Sequence, residues 1–181
     1  MRPGLVTSML IAGMLWLAVL NVNTNVFTHS GRWVIQQQVK TSAEAVSMLI
    51  SRDLNRAGFG IDGHGIVHAD SVQFSFQADL NNDGQIQEIT WKSVSDEELD
   101  PGVLSLMRVV GSDSLMYEIN ALDFRFEYRD QAGSVTQIPA DIRAIRFFIH
   151  NESRVGYGEF RERYAVWREI IPPNLNLGTH L

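Results

Sequence analysis

The amino-acid sequence predicts an α+β fold: one long N-terminal helix, partly transmembrane, packed on a small antiparallel β-sheet head. Three observations support this prediction. Residues 5–22 are apolar and uncharged, residues 35–57 repeat apolar side chains at helical spacing, and the chain after residue 58 alternates apolar and polar residues as strands do. The 181 residues suffice for one domain with an appendage.

Charge and cysteine content exclude several function classes. The formal net charge is −6 and no cluster of lysine or arginine offsets it, so the acidic surface would repel nucleic acid. The absence of cysteine excludes disulfide frameworks, thiolate zinc sites and cysteine nucleophiles. It does not identify the redox compartment, because oxidising compartments also contain cysteine-free proteins.

The first element is the apolar run of residues 5–22, which carries no ionisable side chain. Its length is close to the roughly 20 residues that a helix needs to cross a bilayer. Arg2 and the terminal amine precede the run, so we predict a cytoplasmic N-terminus and an exported head after Asn23. Two alternatives remain: a cleaved secretory signal, although residues 21–30 lack a small-x-small cleavage site, and a buried core helix, although the run is apolar all round.

The helix is predicted to continue beyond this run. No proline occurs between Pro3 and Pro101, and Gly58 is a suitable left-handed C-cap. A weak joint is expected within residues 23–31, where Asn, Thr, Ser and Gly cluster. The apolar positions at helical spacing are Ile35, Val39, Ala43, Val46, Ile50 and Ala57.

These patterns divide the chain into three segments. Residues 1–30 form the transmembrane and assembly half of the helix, residues 31–58 its amphipathic half, and residues 59–181 the exported β-rich head.

The head is predicted to contain six or seven short strands. A first hairpin joins residues 72–77 to Ile89 and Trp91 through an NNDG turn. In the later run, Phe124, Phe126 and Tyr128 share one face and charged residues the other, as in a sheet that is solvated on one side. We expect the amphipathic helix half to cover the apolar face. The further alternating runs are residues 104–110, 115–119, 122–128, 142–149 and 164–170.

Five stretches, in this order, carry a family resemblance. The order of parts resembles the type IV pilin-like proteins, especially the minor pilins and type II secretion pseudopilins of the W and J kind. The stretches are residues 52–60 (RDLNRAGFG), 72–94 (VQFSFQADLNNDGQIQEITWKSV), 119–135 (INALDFRFEYRDQAGSV), 138–149 (IPADIRAIRFFI) and 169–177 (EIIPPNLNL).

The resemblance implies a structural subunit of a pilus-like or pseudopilus filament. Such a subunit is held in the inner membrane before assembly and polymerises through its N-terminal helix into a periplasmic or extracellular filament. Its partners would be homologous subunits or further copies of itself, the inner-membrane assembly machinery and, before assembly, the lipid bilayer. Small residues favour close helix contacts, and the helix residues expected to take part in assembly are Leu5, Met9, Ala12, Gly13, Leu17 and Leu20.

The N-terminus departs from the family pattern. The family has a basic leader that ends in glycine and is followed by Phe-Thr-Leu-Ile-Glu, whereas here MRPG precedes LVTSM. Gly4 is the candidate processing site, and Met9 occupies the position of the family's glutamate. In the family that carboxylate is thought to pair with a neighbouring subunit's terminal amine, which Met9 cannot do. The departure fits a tip or minor subunit, and equally a diverged filament subunit.

The turn of the first hairpin resembles the start of a calcium loop, in which short oxygen-bearing side chains at alternate positions surround the ion. Position twelve is Thr90 instead of the usual glutamate. The alternative is a polar turn whose side chains cap their own backbone, with Gly84 at positive φ. The candidate ligands are Asp79, Asn81, Asp83 and, as a substitute, Glu88.

The calcium loop defines a second function hypothesis: a single-span exported binding module that does not polymerise. No cofactor is otherwise required. We expect no enzymatic activity, because no nucleophile, base and orienting group belong together. His64 and His68 are expected in a glycine-rich solvated loop, and the acidic residues 95–102 in a solvated turn.

Overall fold

A computed structural model describes residues 3–95, 102–154 and 161–175. Its first element, α1 (Pro3–Leu54), is an unbroken α-helix of 52 residues, about 78 Å long at a rise of 1.5 Å per residue. The weak joint expected within residues 23–31 is not present in α1. The polar side chains there bond within the helix instead, since the hydroxyls of Thr24 and Thr28 donate to the carbonyls of Leu20 and Thr24.

The part of the chain that is described after α1 contains seven strands in one curled antiparallel sheet. Their order in the sheet is their order along the chain, so each strand pairs with the next. The helix and this sheet confirm the predicted α+β class. The strands are β1 (Ile66–Ala69), β2 (Gln73–Ala78), β3 (Gln87–Ser95), β4 (Leu104–Val110), β5 (Asp113–Arg129), β6 (Ala144–Glu152) and β7 (Arg163–Ile170).

The strands differ from the sequence prediction in two places. The predicted hairpin is β2 and β3, in which Phe74 faces Trp91 across the ladder. The runs at residues 115–119 and 122–128 are parts of one strand, β5, interrupted at Asn120 with φ of 51°. Strand β1 was not predicted, because its four residues lie among glycines and show no alternation. The acidic turn lies mostly outside the described residues.

The second half of α1 packs against β5, β6 and β7. Tyr128, Phe124 and Phe126 of β5 are buried in the core, as predicted, and the rings of Phe126 and Tyr128 pack against Phe74 of β2. Of the six helical positions predicted to be apolar, Ile35 is half-buried and the others are buried. These buried helix positions are Val39, Ala43, Val46, Ile50 and Ala57.

The chain leaves α1 through a close crossing of two glycine segments. The α-helix ends at Leu54, so Gly58 is not its cap as predicted, because Arg56 and Ala57 first form turns by donating to Asp53 and Leu54. Gly58 has φ of 77°, and its N–H donates to the carbonyl of Gln77. The N–H of Gln77 in turn donates to the carbonyl of Gly65. A Cβ atom on Gly65 would lie 2.5 Å from the Cα of Gly58, so only glycine fits there. This crossing connects the end of the helix to the first hairpin.

Candidate functional site

The described side chains in the first half of α1 are almost all exposed. Every described side chain from Thr7 to Phe27 is exposed, and along the described part of the helix the first buried one is Val39. An 18-residue window of this segment has a mean hydropathy of 1.6, with none of it buried. The buried-core-helix alternative is therefore wrong. A long apolar helix near the N-terminus fits a membrane anchor or a signal sequence.

The predicted assembly residues share one side of this half. At about 100° per residue they fall within a sector of about 140°. Gly13 has no atom within 4 Å of a Cβ placed on it, so this position is open to an approaching helix. Gly4, the candidate processing site, lies in the first turn of α1, where its carbonyl accepts a hydrogen bond from the hydroxyl of Thr7. Met9 and Leu17 are 68% and 66% exposed.

Polar contacts fix the angle at which α1 leaves the head. Glu44 accepts hydrogen bonds from the hydroxyl of Tyr164 at 2.7 Å and from Arg168 at 2.7 Å, both on β7. On β6, the Nδ2 of Asn151 donates to the carbonyl of Val39 at 2.9 Å. These contacts join residues more than 100 positions apart in the chain, and no local sequence signal identifies them.

A buried ion pair fixes the other end of the helix. Asp53 is 3% exposed, and its carboxylate accepts a hydrogen bond from Trp91 Nε1 at 3.0 Å. The same carboxylate pairs with Arg108, whose Nε lies 2.5 Å and whose Nη2 lies 3.2 Å from its two oxygens. In the sequence, Asp53 is one of the polar residues between the apolar helix positions Ile50 and Ala57. Its position beside Leu54, on the edge of the apolar side, was the signal that could have identified it.

The NNDG turn is capped by its own aspartate. Asp79 Oδ1 accepts the N–H groups of Asn81 and Asp83 at 3.2 Å each, and Oδ2 accepts that of Gly84 at 2.8 Å. Burial acts to raise the pKa of Asp79, but the backbone N–H donors outweigh it and hold that pKa below its ordinary value. Gly84 has φ of 80°. This geometry has the features of the second alternative, a polar turn whose side chains cap their own backbone.

The structure does not bring the candidate calcium ligands into a cluster. Glu88 lies exposed in β3, opposite Gln77. Within residues 3–95, 102–154 and 161–175, no group of three or more carboxylate or imidazole side chains is arranged to hold a metal ion. His68 lies exposed on β1 and His64 in the preceding loop, not on a helix. Calcium binding at this loop stays a prediction.

A cleft of about 260 Å³ lies where α1 enters the head. Its walls come from Val39 and its neighbours on α1, from the bend of β5 at Asn120, and from the end of β6. Asn151 is 1% exposed and lines the cleft, and its Oδ1 has no hydrogen-bond partner among the described residues. The guanidinium of Arg154 donates to Asn120 Oδ1 at 2.6 Å beside it. The cleft is therefore lined by one cation, Arg154, which also pairs with Glu118 at 3.4 Å.

The fold places the chain among α+β proteins with a long N-terminal helix and a single curled antiparallel sheet. Comparisons with protein-family models, with curated protein sequences and with solved structures find no match to this chain.

Proposed function

We propose that this chain is a structural subunit of a type IV pilus-like or pseudopilus filament. It is held in the membrane before assembly and polymerises through its N-terminal helix. The observation that carries the proposal is that the apolar half of α1 is exposed while the same unbroken helix forms part of the head's core. Burying one large apolar side chain contributes about 1.5 to 3 kcal/mol, so such a surface requires lipid or protein around it.

The rigid connection between α1 and the sheet supports a filament subunit over a simple anchor. A simple anchor needs only a flexible connection to its head, whereas here Glu44 and Asp53 fix the helix rigidly against the sheet. A rigid connection transmits the position of the helix to the head, as a packed filament requires. The resemblance of the five sequence stretches to minor pilins and pseudopilins leads to the same proposal.

Within the filament, apolar packing would be the main contact between helices. Moving an apolar helix from lipid to a protein bundle changes little hydrophobic energy, so close packing at small residues becomes important. Ala12 and Gly13 supply these positions. Because Met9 carries no charge, this subunit would join without the glutamate-to-amine pair of the family, as a minor or tip subunit would. The proposed contact residues are Leu5, Met9, Ala12, Gly13, Leu17 and Leu20.

The proposed location follows from the charge at the N-terminus. Arg2 would keep Met1 in the cytoplasm and the head would be exported. Gly4 would be the residue before a prepilin-type cut. N-terminal sequencing of the mature protein tests this point: a start at Leu5 supports processing, and an intact Met1 contradicts it.

The filament proposal is tested by following the chain into sheared and purified surface or periplasmic filaments. Ala12→Leu places a large side chain on the proposed contact side, whereas Ala18→Leu makes the same change about 170° away from the centre of that side. We expect wild type and Ala18→Leu in the filaments and a strong loss of Ala12→Leu, with equal amounts of all three in the membrane. The proposal fails if the wild-type chain never occurs in filaments.

The cleft favours a second candidate function, a membrane-anchored binding module that does not polymerise. Arg154, which lines the cleft, would bind a small polar ligand. Calcium at the NNDG turn would be the other candidate ligand. Calcium titration of the full chain in detergent addresses it, because a ligand that binds only the folded state must raise the melting temperature. An unchanged melting temperature at millimolar calcium argues against that site.

A further inference from the structure

The exit segment, residues 23–34 of α1, connects the apolar run to the part of the helix that packs in the head. Val26 and Phe27 are 57% and 66% exposed, and Trp33 and Val34 are 63% and 57% exposed. The segment carries only two ionisable side chains. Its surface is therefore a mixture of large apolar side chains and mostly uncharged polar ones.

The remainder of α1 shows which side chains this helix exposes beside the head. In residues 35–54 the exposed side chains include Gln36 and Lys40, and the single large apolar one among them is Met48. In the exit segment, four of the exposed side chains are large and apolar. Because both segments belong to one unbroken helix, the change in exposed side chains indicates a change of surroundings just after Val34.

The nearly uncharged length of the helix matches a whole bilayer. Residues 3–31 contain one ionisable side chain, His29, and extend over about 44 Å at 1.5 Å per residue. A bilayer is about 30 Å thick across its hydrocarbon core and about 40 to 45 Å thick with its headgroup layers. The apolar run alone, residues 5–22, extends over about 27 Å and falls short even of the core.

Several polar side chains in and beside the exit segment bond within the helix. The hydroxyl of Thr24 donates to the carbonyl of Leu20 at 2.9 Å, and that of Thr28 donates to the carbonyl of Thr24 at 2.9 Å. The Nδ2 of Asn25 donates to Oδ1 of Asn21 at 3.1 Å. A polar group costs most in lipid when it has no hydrogen-bond partner, so these bonds lower the cost of placing the segment there.

Arg32 and Trp33 have the side chains expected at the outer boundary of a membrane. Tryptophan favours the interface between lipid and water, and arginine near a helix end extends its charge toward that interface. Val39, the first buried residue along the described part of the helix, lies seven residues beyond Arg32, or about 10 Å along the axis. A boundary at Arg32 therefore brings the base of the head close to the membrane surface.

We infer that lipid surrounds α1 as far as Phe27 and that Arg32 and Trp33 lie in the outer headgroup layer. The membrane then ends about nine residues later than the predicted boundary at Asn23, and the head is held close to the membrane surface. The inference rests on the part of the proposed function that places α1 in a membrane, and it does not depend on polymerisation.

Single cysteines test the position of the membrane, because the chain has no cysteine of its own. The test variants are Thr24→Cys, Val26→Cys and Phe27→Cys, whose positions are spread around the helix. The controls are Leu15→Cys inside the apolar run and Gln36→Cys beyond the proposed boundary. Each full-length variant is placed at low density in vesicles of phosphatidylethanolamine and phosphatidylglycerol. The rate of its reaction with a charged, membrane-impermeant maleimide is then measured.

We expect all three test variants to react at least about tenfold more slowly than Gln36→Cys, because water and a charged reagent are excluded from lipid. Leu15→Cys should react as slowly as they do. After denaturation in sodium dodecyl sulfate all five variants should react at the same rate, which shows that the differences come from the membrane.

Three results would overturn the inference. Reaction of Val26→Cys and Phe27→Cys at the rate of Gln36→Cys means that the membrane ends with the apolar run. Slow reaction on one side of the helix only means that another protein, and not lipid, covers the exit segment. These two results leave the filament proposal standing, because the vesicles contain no assembly machinery. Fast reaction of Leu15→Cys as well would also contradict the membrane location in the proposed function.

Discussion

Asp53 is the residue at which the helix is fixed most firmly to the sheet. Its carboxylate is buried and receives donors from Trp91 on β3 and from Arg108 on β4. A buried carboxylate is costly without such partners, and its removal leaves the buried part of Arg108 uncompensated. The pair therefore specifies one position of the helix end on the sheet.

We expect Asp53→Ala to lower the free energy of unfolding by about 3 to 5 kcal/mol, because it breaks a buried pair. The neighbouring exposed Arg52 provides the control, and Arg52→Ala should change stability by no more than about 0.5 kcal/mol. Urea unfolding of the full chain in detergent, followed by tryptophan fluorescence, measures both. Equal effects of the two changes would contradict a special role for Asp53.

Ser47 of α1 is fully buried, and its hydroxyl has no hydrogen-bond partner among the described residues. An unsatisfied buried hydroxyl costs about 1 to 3 kcal/mol, so we expect Ser47→Ala to stabilise the protein by about 1 kcal/mol. The control is Ser51→Ala, because the hydroxyl of Ser51 donates to the carbonyl of Ser47 at 2.7 Å. The same unfolding experiment measures both variants. A clear loss of stability in Ser47→Ala would show that its hydroxyl is satisfied.

At the level of elements, two glycines with positive φ allow two costs of an added side chain to be compared. At Gly84 the cost is backbone strain alone, and at Gly65 it also includes a steric clash. Gly84 has φ of 80° with nothing within 4 Å of an added Cβ, whereas Gly65 has φ of 61° and a Cβ there meets Gly58 at 2.5 Å. We expect Gly84→Ala to cost about 1 to 2 kcal/mol, the penalty of a left-handed conformation alone. Gly65→Ala should cost more, because the helix exit must move. Thermal unfolding compares the two, and equal losses would contradict the close crossing.

The capped turn between β2 and β3 predicts how the stability of the protein depends on pH. Backbone donors hold the pKa of Asp79 below its ordinary 3.8, so its stabilising effect is present above that pH and is lost as pH falls below it. Asp79→Asn should lower the melting temperature at neutral pH and weaken its fall between about pH 5 and about pH 2. Asp83→Asn is the control within the same turn. A melting curve of Asp79→Asn that follows wild type at every pH would contradict the capping.

Elements with a strong local pattern could be predicted from the sequence, and those set by tertiary contacts could not. The hairpin of β2 and β3 follows from the alternation around Phe74 and Phe76 and from the turn glycine. The fusion of two runs into β5 depends on Asn120 accepting positive φ, which alternation does not report. Strand β1 exists because β2 offers a partner, and the helix contacts of Glu44 depend on residues of β7 far along the chain.

At the scale of the whole molecule, α1 presents apolar side chains to two different surroundings. The sequence predicted an apolar half and an amphipathic half, and the exposure along α1 agrees with that distinction. The sequence does not show that Val34 is exposed and Val39 is buried, because this difference is defined by the surface that the head covers. The head determines which side of the helix is available to other molecules.

The pattern of exposure along α1 also predicts that the head folds without the apolar half of the helix. The first buried helix residue is Val39, so a chain that begins at Gly31 keeps all the helix residues that pack in the core. We expect this truncated chain to be water-soluble and folded, with a melting temperature within a few degrees of the full chain. A chain that begins at residue 45 loses Val39, Ala43 and the contacts of Glu44, and should be less stable by about 3 kcal/mol or more.

Light scattering after size exclusion, together with thermal unfolding, measures both truncated chains. The chain beginning at Gly31 lacks the exposed apolar run of residues 5–22, so it should be monomeric. A stable dimer of this chain would place self-association in the head and contradict the proposed polymerisation through the N-terminal helix. Its failure to fold would show that residues 1–30 contribute to the core, against the exposure of the described part of that segment.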